Sequence, residues 1–206
     1  MINYKVFVIS ASVAKKYIRT HHYSKGSHNG PTLSIGLFDN GNLIGCCMFA
    51  TPCSERVRCS LWGEELKESV IELHRLHIMD VTPRNTESWF ISRCLKLLKK
   101  TKSSIYGVLS FADPTEGHTG TIYKATNAYR LGETVSKTFY RDQNGRLRHP
   151  RQNGVNIDTK AAAEKNWKPT KRKGKIRYLW LLPNDKKHKK ILVSSCKYDL
   201  STQKFN

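Results

Sequence analysis

The sequence has 206 residues, of which 38% are hydrophobic and 10% aromatic. This composition excludes an intrinsically disordered chain and allows one domain with its own core. Lys and Arg number 36 against 16 Asp and Glu, so the formal net charge is +20 and the isoelectric point lies near 9.9. Because such charge opposes compaction, it indicates a polyanionic partner, nucleic acid before an anionic membrane. With no long apolar run and no signal-peptide pattern, we expect no membrane contact and a cytoplasmic location.

The sequence contains six cysteines, and no two of them have the C-x-x-C spacing of a zinc site. We therefore expect small buried side chains, a few surface thiols and no metal site. A metal site that uses Cys53 and Cys59 stays open as an alternative without further support.

The sequence contains both strand and helix signals. Residues 4–9 predict a strand, and Ser10 or Ser12 can cap a helix that runs to about Thr20. Residues 32–38 and 43–49 predict a hairpin, because Asp39-Asn40-Gly41-Asn42 is a strong turn signal. The rest of the order comprises strand 70–80, a helix that starts within 82–87 and ends near Lys100, strand 105–111, helix 117–130, and strands 134–140 and 176–182.

This order is not an alternation of strands and helices, so it excludes a doubly wound sheet and predicts a mixed α/β fold. We expect residues 1–140 to form a catalytic core and residues 141–175 to form a basic insertion. Residues 176–206 are expected to supply C-terminal strands that complete the core, followed by a basic tail.

The basic insertion predicts the nucleic-acid surface. Residues 141–177 carry twelve Lys or Arg against three carboxylates, and a second lysine cluster follows at 186–190. Such cations neutralise phosphates, and Tyr140, His149 and Trp167 could stack on bases. The candidate DNA contacts are Arg148, Arg151, Lys168, Lys171, Arg172, Lys173 and Lys175.

A second candidate site lies where strand 105–111 leads into the next helix. Ser110, Asp113, His118 and Tyr123 bring a hydroxyl, a carboxylate, an imidazole and a phenol to one junction. Gly117 and Gly120 bracket the helix start, where free amides favour an anion. This combination predicts proton-transfer chemistry.

Several histidines could also take part. His21 and His22 lie at the end of the first helix, where the interpretations of a cap, a ligand and a base all stay open. His74 and His77 are predicted on opposite faces of a strand and so cannot easily share a metal.

Six sequence blocks resemble the Mom family of phage DNA adenine-modification proteins. They are T-H-H-Y-S (20–24), I-G-L-F-D-N-G-N-L-I-G (35–45), E-L-H-R-L-H-I (72–78), N-T-E-S-W-F-I-S (85–92), S-F-A-D-P…G-H-T-G-T-I-Y-K-A-T-N (110–127) and L-G (131–132). The resemblance implies a fold like that of GNAT-type acyltransferases, with a mixed, mostly antiparallel sheet between helices. It further implies conversion of adenine to N6-(carbamoylmethyl)adenine in double-stranded DNA, which protects phage DNA from restriction. In the same way it implies that Ser110, Asp113 and Tyr123, or their close neighbours, form the site.

If the resemblance holds, each candidate residue has an expected role in the modification of adenine. Asp113 would be the base or the acceptor of the N6–H, and Tyr123 would protonate a leaving group or hold the donor. Ser110 and His118 would position a substrate, with Arg75, Asn127, His21 and His22 as further substrate-side candidates. A target base in a duplex must be flipped out, and Trp89, Tyr140 or Trp167 could stack on it.

The donor is not identified by the sequence. GNAT enzymes hold acyl-CoA with a glycine-rich turn, whereas T-P-R-N-T-E-S (82–88) has no glycine. Arg84, Asn85 and Ser88, with Gly117 and Gly120, are the donor-site candidates, for acyl-CoA or for another glycine- or glycinamide-type donor. Two alternatives remain: an N-acetyltransferase with another substrate, and a non-catalytic basic DNA-binding protein on an acyltransferase scaffold. A homodimer is also left open.

Overall fold

The structure is a computed structural model that describes residues 4–23, 26, 30–152 and 155–201, apart from the Gln152 side chain. The helices are α1 (Ala11–His21), α2 (Glu55–Arg58), α3 (Thr86–Thr101), α4 (Thr121–Lys124), α5 (Thr159–Glu164) and α6 (Lys186–Ser194). The strands are β1 (Lys5–Val8), β2 (Leu33–Asp39), β3 (Asn42–Ala50), β4 (Val70–Ile78), β5 (Gly107–Ala112), β6 (Tyr129–Glu133), β7 (Lys137–Arg141), β8 (Leu147–Arg148), β9 (Arg151–Gln152), β10 (Val155–Asn156), β11 (Lys168–Arg172) and β12 (Ile176–Leu181).

A seven-stranded sheet has the order β1-β2-β3-β4-β5-β12-β6. Strands β1 to β4 pair antiparallel, and β4 pairs parallel with β5. The predicted hairpin is confirmed, because Asn40 (φ 46°) and Gly41 (φ 84°) form the turn between β2 and β3. Positive φ at both central residues is what a two-residue hairpin turn requires.

Two clusters of the hydrophobic core pack against this sheet. One cluster includes Leu61, Val70, Leu109, Leu179 and Leu192, so that β12 and α6 contribute to the same core as β4 and β5. The other cluster packs α1 on β3 and consists of Ala14, Tyr17, Ile18, Cys46 and Met48. Burial of these side chains is the main favourable contribution to folding.

The chain divides into two compact units. Within the described residues, the larger unit is built from 4–111, 120–131 and 178–201, and the smaller unit from 112–119 and 132–177. The smaller unit contains a three-stranded antiparallel sheet, β11-β7-β8, and the two-stranded ribbon of β9 and β10. Its helix α5 follows Asp158, whose carboxylate accepts a hydrogen bond from the Ala161 amide and so caps the helix.

Two secondary-structure expectations are wrong, and one strand was not predicted. The helix predicted over 117–130 is only the four-residue α4, because Asn127 (φ 59°) turns the chain and β6 follows from Tyr129. Residues 176–206 contain one strand and the helix α6 instead of several strands, because Asp185 caps that helix and Leu192 packs into the core. Strand β11 has no apolar alternation and forms by pairing with β7.

None of the described helices combines the length and the apolar character that a bilayer-spanning segment needs.

Candidate active site and nucleic-acid surface

Ser110 and Tyr123, both in the larger unit, come together. The parallel pairing of β4 with β5 ends at Glu72 and Leu109, although β4 continues for six more residues. Ser110 follows immediately, is buried, and donates its hydroxyl to the Leu73 carbonyl (3.2 Å). The Tyr123 phenol lies close to this side chain, since the Ser110 hydroxyl lowers the pKa of Tyr123. The hydroxyl and the phenol therefore meet at the point where the two central strands separate.

Tyr123 is held by two other aromatic side chains. Its ring packs edge-on against Tyr178 (centroids 5.3 Å apart) and Trp180 (5.2 Å). The Trp180 indole donates to the Thr126 hydroxyl (3.0 Å), which fixes its orientation. Burial raises the pKa of Tyr123 to about 12, against a smaller lowering by the Ser110 hydroxyl. The phenol therefore keeps its proton at neutral pH and can donate it.

The sequence patterns did not indicate that Tyr178 and Trp180 support Tyr123. Both residues lie on β12, more than 50 residues beyond Tyr123 in the chain. Gly120, which precedes α4, has φ +78°, and a Cβ there would lie 2.3 Å from the Tyr178 ring. The glycine is thus required both by its backbone conformation and by the close approach of Tyr178.

Asp113 lies in the smaller unit, in a cluster of charged groups. Its side chain is almost fully buried and accepts the Arg172 guanidinium at 2.8 Å and the Thr115 amide at 3.1 Å. The Lys175 ammonium lies 3.8 Å away, and Arg172 also binds Glu116 at 2.8 Å. Both carboxylate oxygens of Asp113 are therefore engaged. The sequence predicted Arg172 as a DNA contact and missed this ion pair, because 59 residues separate the partners.

Three other predicted residues of the junction are exposed. His118 donates its backbone amide to the Asp113 carbonyl (3.1 Å), and its side chain lies at the surface. Gly117 (φ +77°) ends a short 3-10 turn, and no atom would contact a Cβ there within 4 Å. Asn127 takes the left-handed conformation at the turn after α4. These positions shape the turns, and a contact between them and a substrate stays a prediction.

The predicted donor residues lie at the start of α3. Asn85 is the residue before the helix, with φ 71° and no side-chain capping bond, and the Ser88 hydroxyl donates to its carbonyl (3.0 Å). Arg84 is exposed, and Glu87 places a carboxylate in the first turn. With no glycine for close backbone approach and with Glu87 opposing an anion, these residues do not fit the pyrophosphate of acyl-CoA.

A histidine and tyrosine cluster lies where α1 ends on β4. The Tyr17 hydroxyl donates to the Ile44 carbonyl (2.7 Å) and lies 3.2 Å from His77 Nδ1. His21 stacks on His77 with ring centroids 5.7 Å apart, and His22 is the buried residue that ends α1. Burial, and next the charge of His21, lower the pKa of His77, so this imidazole is neutral at pH 7.

Arg75, also predicted on the substrate side, is held by backbone carbonyls. Its Nε donates to Gly26 (2.8 Å) and another nitrogen donates to His74 (2.7 Å). Burial lowers its pKa, with partial compensation from the charge of Tyr23. These hydrogen bonds fix the orientation of the guanidinium. It lies beside His74, where strand β4 has a bulge in its pairing with β3.

The described residues contain no group of three His, Cys, Asp or Glu side chains placed to hold a metal ion. Cys53 is exposed, whereas the Cys59 thiol donates to Glu64 (3.2 Å). Cys46, Cys47 and Cys94 are buried and free.

One face of the three-stranded sheet in the smaller unit is strongly cationic. The register places Lys168 directly opposite Arg141, and Arg172 directly opposite Lys137, with Phe139 between the two pairs. Like charges placed directly opposite destabilise a sheet. Asp113 and Glu116 already neutralise Arg172. The cationic sheet face, defined by Lys137, Phe139, Arg141 and Lys168, is therefore an arrangement that an external anion would stabilise at the pair of Lys168 and Arg141.

The other predicted DNA contacts and stacking residues differ in how far their side chains are exposed to solvent. Arg151, Lys171, Lys173 and Lys175 are exposed, whereas Arg148 is bound to Asp142 at 2.7 Å. Among the predicted stacking side chains, Tyr140 is buried and is not accessible to a base, which corrects that part of the prediction. Trp89 is 37% exposed with Arg93 over its ring, and Trp167 is half-buried with Arg148 over its ring.

The architecture resembles that of acetyltransferases of known structure. The ribosomal-protein-S18-alanine N-acetyltransferase from Escherichia coli is 9% identical, with a TM-score of 0.51 over 87% of this chain and 94% of that chain. The ribosomal-protein-S5-alanine acetyltransferase from Vibrio fischeri is also 9% identical, with a TM-score of 0.51 over 90% and 96%. At this identity the likeness shows the fold alone, and the predicted GNAT-type fold is confirmed.

Sequence comparison reaches a specific family. The methylcarbamoylase Mom of Escherichia phage Mu is 33% identical over 136 residues, which make up 66% of this chain. The aligned part spans 56% of the length of that relative. The model of the Mom protein family matches residues 3–199, nearly the whole sequence. The chain therefore belongs to the Mom protein family.

Proposed function

We propose that this chain is a transferase that converts adenine in double-stranded DNA to N6-(carbamoylmethyl)adenine, and that the modification protects phage DNA from restriction. Family membership and the methylcarbamoylase name of the phage Mu relative support the activity. The observation that carries the proposal is the Ser110–Tyr123 pair, a protonated phenol fixed where β4 and β5 separate.

The chemistry requires orientation and proton transfer. The N6 amine of adenine is a poor nucleophile, because its lone pair is delocalised into the ring, so a proton must leave as the new N–C bond forms. Tyr123 holds the donor or protonates its leaving group, and the raised pKa keeps the proton on the phenol until it is needed. Ser110 positions this phenol, because its hydroxyl is anchored on the Leu73 carbonyl.

Asp113 is proposed as the base that accepts the N6–H and takes its proton. Arg172 and the Thr115 amide occupy both of its oxygens but leave part of the lone-pair capacity of the carboxylate free. Arg172 and Thr115 hold the carboxylate in one orientation, in which it would take the proton that leaves N6 as the N–C bond forms and later release it to solvent.

The donor is proposed to be of the glycine or glycinamide type. The start of α3 does not fit a pyrophosphate, but Arg84 and the first-turn amides suit a smaller, uncharged carbonyl group. Ser88 and Asn85 lie at the same turn and are proposed to orient that group.

The DNA surface is proposed on the smaller unit. Residues 132–177 carry thirteen Lys or Arg against four Asp or Glu. The cationic sheet face and the exposed Lys171 and Lys173 would contact phosphates, which makes binding strongly dependent on salt. Trp89 or Trp167 would stack on the flipped adenine, since both rings are at least partly accessible.

Mass spectrometry of nucleosides tests the proposal. DNA from cells that express the wild-type chain should contain carbamoylmethyladenine, and Tyr123→Phe or Asp113→Asn should abolish it. The matched controls are Tyr106→Phe, at the start of β5, and Glu116→Gln, the other carboxylate on Arg172, and both should retain modification. Unmodified DNA from the wild type, or full modification by Tyr123→Phe, would contradict the proposed mechanism.

The acetyltransferase fold favours one alternative, an N-acetyltransferase with another substrate. An acetyl group adds less mass to a nucleoside or peptide than a carbamoylmethyl group, so the same measurement separates the two. A non-catalytic DNA-binding protein predicts that Tyr123→Phe leaves the biological effect intact. Reversing the charge at Lys171 and Lys173 should weaken DNA binding while Arg172 keeps holding Asp113.

A further inference from the structure

A second cationic surface lies on the larger unit, where α3 ends and α6 begins. Two hydrogen bonds join the end of α3 to the start of α6. The Lys99 ammonium donates to the Asn184 side chain (2.7 Å), and the Leu182 amide donates to the Tyr106 carbonyl (2.8 Å). The Tyr106 ring also packs against His188 (centroids 4.6 Å apart). The lysines at this place, named here the distal lysine patch, are Lys96, Lys99, Lys100, Lys102, Lys186, Lys187, Lys189 and Lys190.

The distal lysine patch has almost no local counter-charge. Residues 93–106 contain no Asp or Glu, and residues 182–198 contain only Asp185. The Asp185 carboxylate accepts the His188 amide (2.7 Å) as the cap of α6. Within the described part of the chain, no carboxylate lies in salt-bridge range of these eight lysines.

Two features make this charge unfavourable for the isolated protein. Lys186 and Lys187 lie in the first turn of α6, where the helix dipole disfavours cations, and that turn contains no acidic residue. Lys99 is half-buried, and its ammonium contacts the neutral Ser103 carbonyl (2.8 Å), the Asn184 amide oxygen and the Tyr106 ring (5.0 Å). A bound anion would relieve both penalties.

The kind of anion follows from the shape and polarity of the patch. The ammonium groups are spread over two elements, as point charges on long stems that suit a repeating phosphate backbone. Stable binding to a lipid surface combines basic residues with apolar side chains that insert, and α6 exposes only Ile191 among its large apolar residues, since Leu192 is buried.

We propose that the distal lysine patch is a second binding site for the phosphate backbone of double-stranded DNA, separate from the reacting groups. It lies at the start of β5, whereas Ser110 lies toward the end of that strand, roughly 10–15 Å along the sheet at 3.3 Å per residue. The patch holds the substrate polymer without contacting the modified base, so this inference goes beyond the proposed activity.

Salt-dependent binding tests this site. The slope of log Kd against log salt for a 40-base-pair duplex should fall by about 0.9 for each lysine–phosphate contact that is lost. Lys186→Gln with Lys187→Gln should therefore reduce the slope by roughly 1.8, and Lys189→Gln with Lys190→Gln should do the same. The matched control, Lys5→Gln with Lys16→Gln, removes the same charge from exposed sites on β1 and α1 and should leave the slope unchanged.

Lysine acetylation footprinting locates the contact directly. Duplex DNA should protect lysines 186, 187, 189 and 190 at low salt but not at high salt, and Lys5 should remain reactive. The Tyr123→Phe chain should show the same protection, so a failure of the proposed chemistry would leave this result untouched. Equal slopes for all variants, or protection by phosphatidylserine vesicles without protection by DNA, would overturn the proposal.

Discussion

Gly120 gives the sharpest test of the packing under Tyr123. In Gly120→Ala the new methyl group would lie 2.3 Å from Cε2 and 2.6 Å from the hydroxyl oxygen of Tyr178, whose side chain is fully buried. Gly117→Ala is a matched control, because its φ of +77° equals that of Gly120 within a degree and no atom lies within 4 Å of its Cβ. Both variants carry the backbone penalty of a left-handed alanine, about 1 kcal/mol. Only Gly120→Ala adds the overpacking, about 2 kcal/mol.

Thermal unfolding followed by circular dichroism measures the difference. At about 3 °C per kcal/mol for a chain of this size, Gly120→Ala should lower the Tm by roughly 9 °C and Gly117→Ala by roughly 3 °C. Because Tyr178 supports Tyr123, Gly120→Ala should also lose DNA modification at temperatures where it is still folded. Equal Tm values for the two variants would refute the close approach of Tyr178 as the reason for this glycine.

The other predictions concern titration and charge. Burial raises the pKa of Tyr123 to about 12, so as the pH rises the phenol ionises in the unfolded chain before it ionises in the folded chain. The contribution of this group to the free energy of unfolding is therefore complete below pH 10 and is lost between about pH 10 and 12. Tyr123→Phe should make the fall in urea midpoint over that range shallower, and an unchanged fall would contradict the burial of the phenol. Arg172→Met leaves Asp113 buried without its partner and should destabilise the protein by about 3 kcal/mol, whereas Lys171→Met, at an exposed site, should change stability by less than about 0.5 kcal/mol. Equal denaturation midpoints for these two variants would show that the ion pair does not matter.

The local sequence determined the elements that depend on interactions between residues close together in the chain. The alternation of β2 and β3 around Asn40-Gly41 specified their hairpin, and the 3.6-residue repeat of α3 specified its length. The motif from Ser110 to Asn127 identified the family and the candidate reacting groups, because residue types at fixed spacing need no knowledge of packing. The charge excess likewise predicted a polyanionic partner from composition alone.

Only the tertiary structure decided which groups hold those candidates in place. Arg172 meets Asp113 across 59 residues, and Tyr178 meets Gly120 and Tyr123 from a strand that follows the basic segment. Strand β11 has no apolar repeat, and its backbone becomes extended because β7 offers hydrogen-bond partners. Helix, turn and hairpin preferences act between neighbours in the chain, whereas ion pairs, aromatic contacts and strand partners form between segments that folding alone brings together.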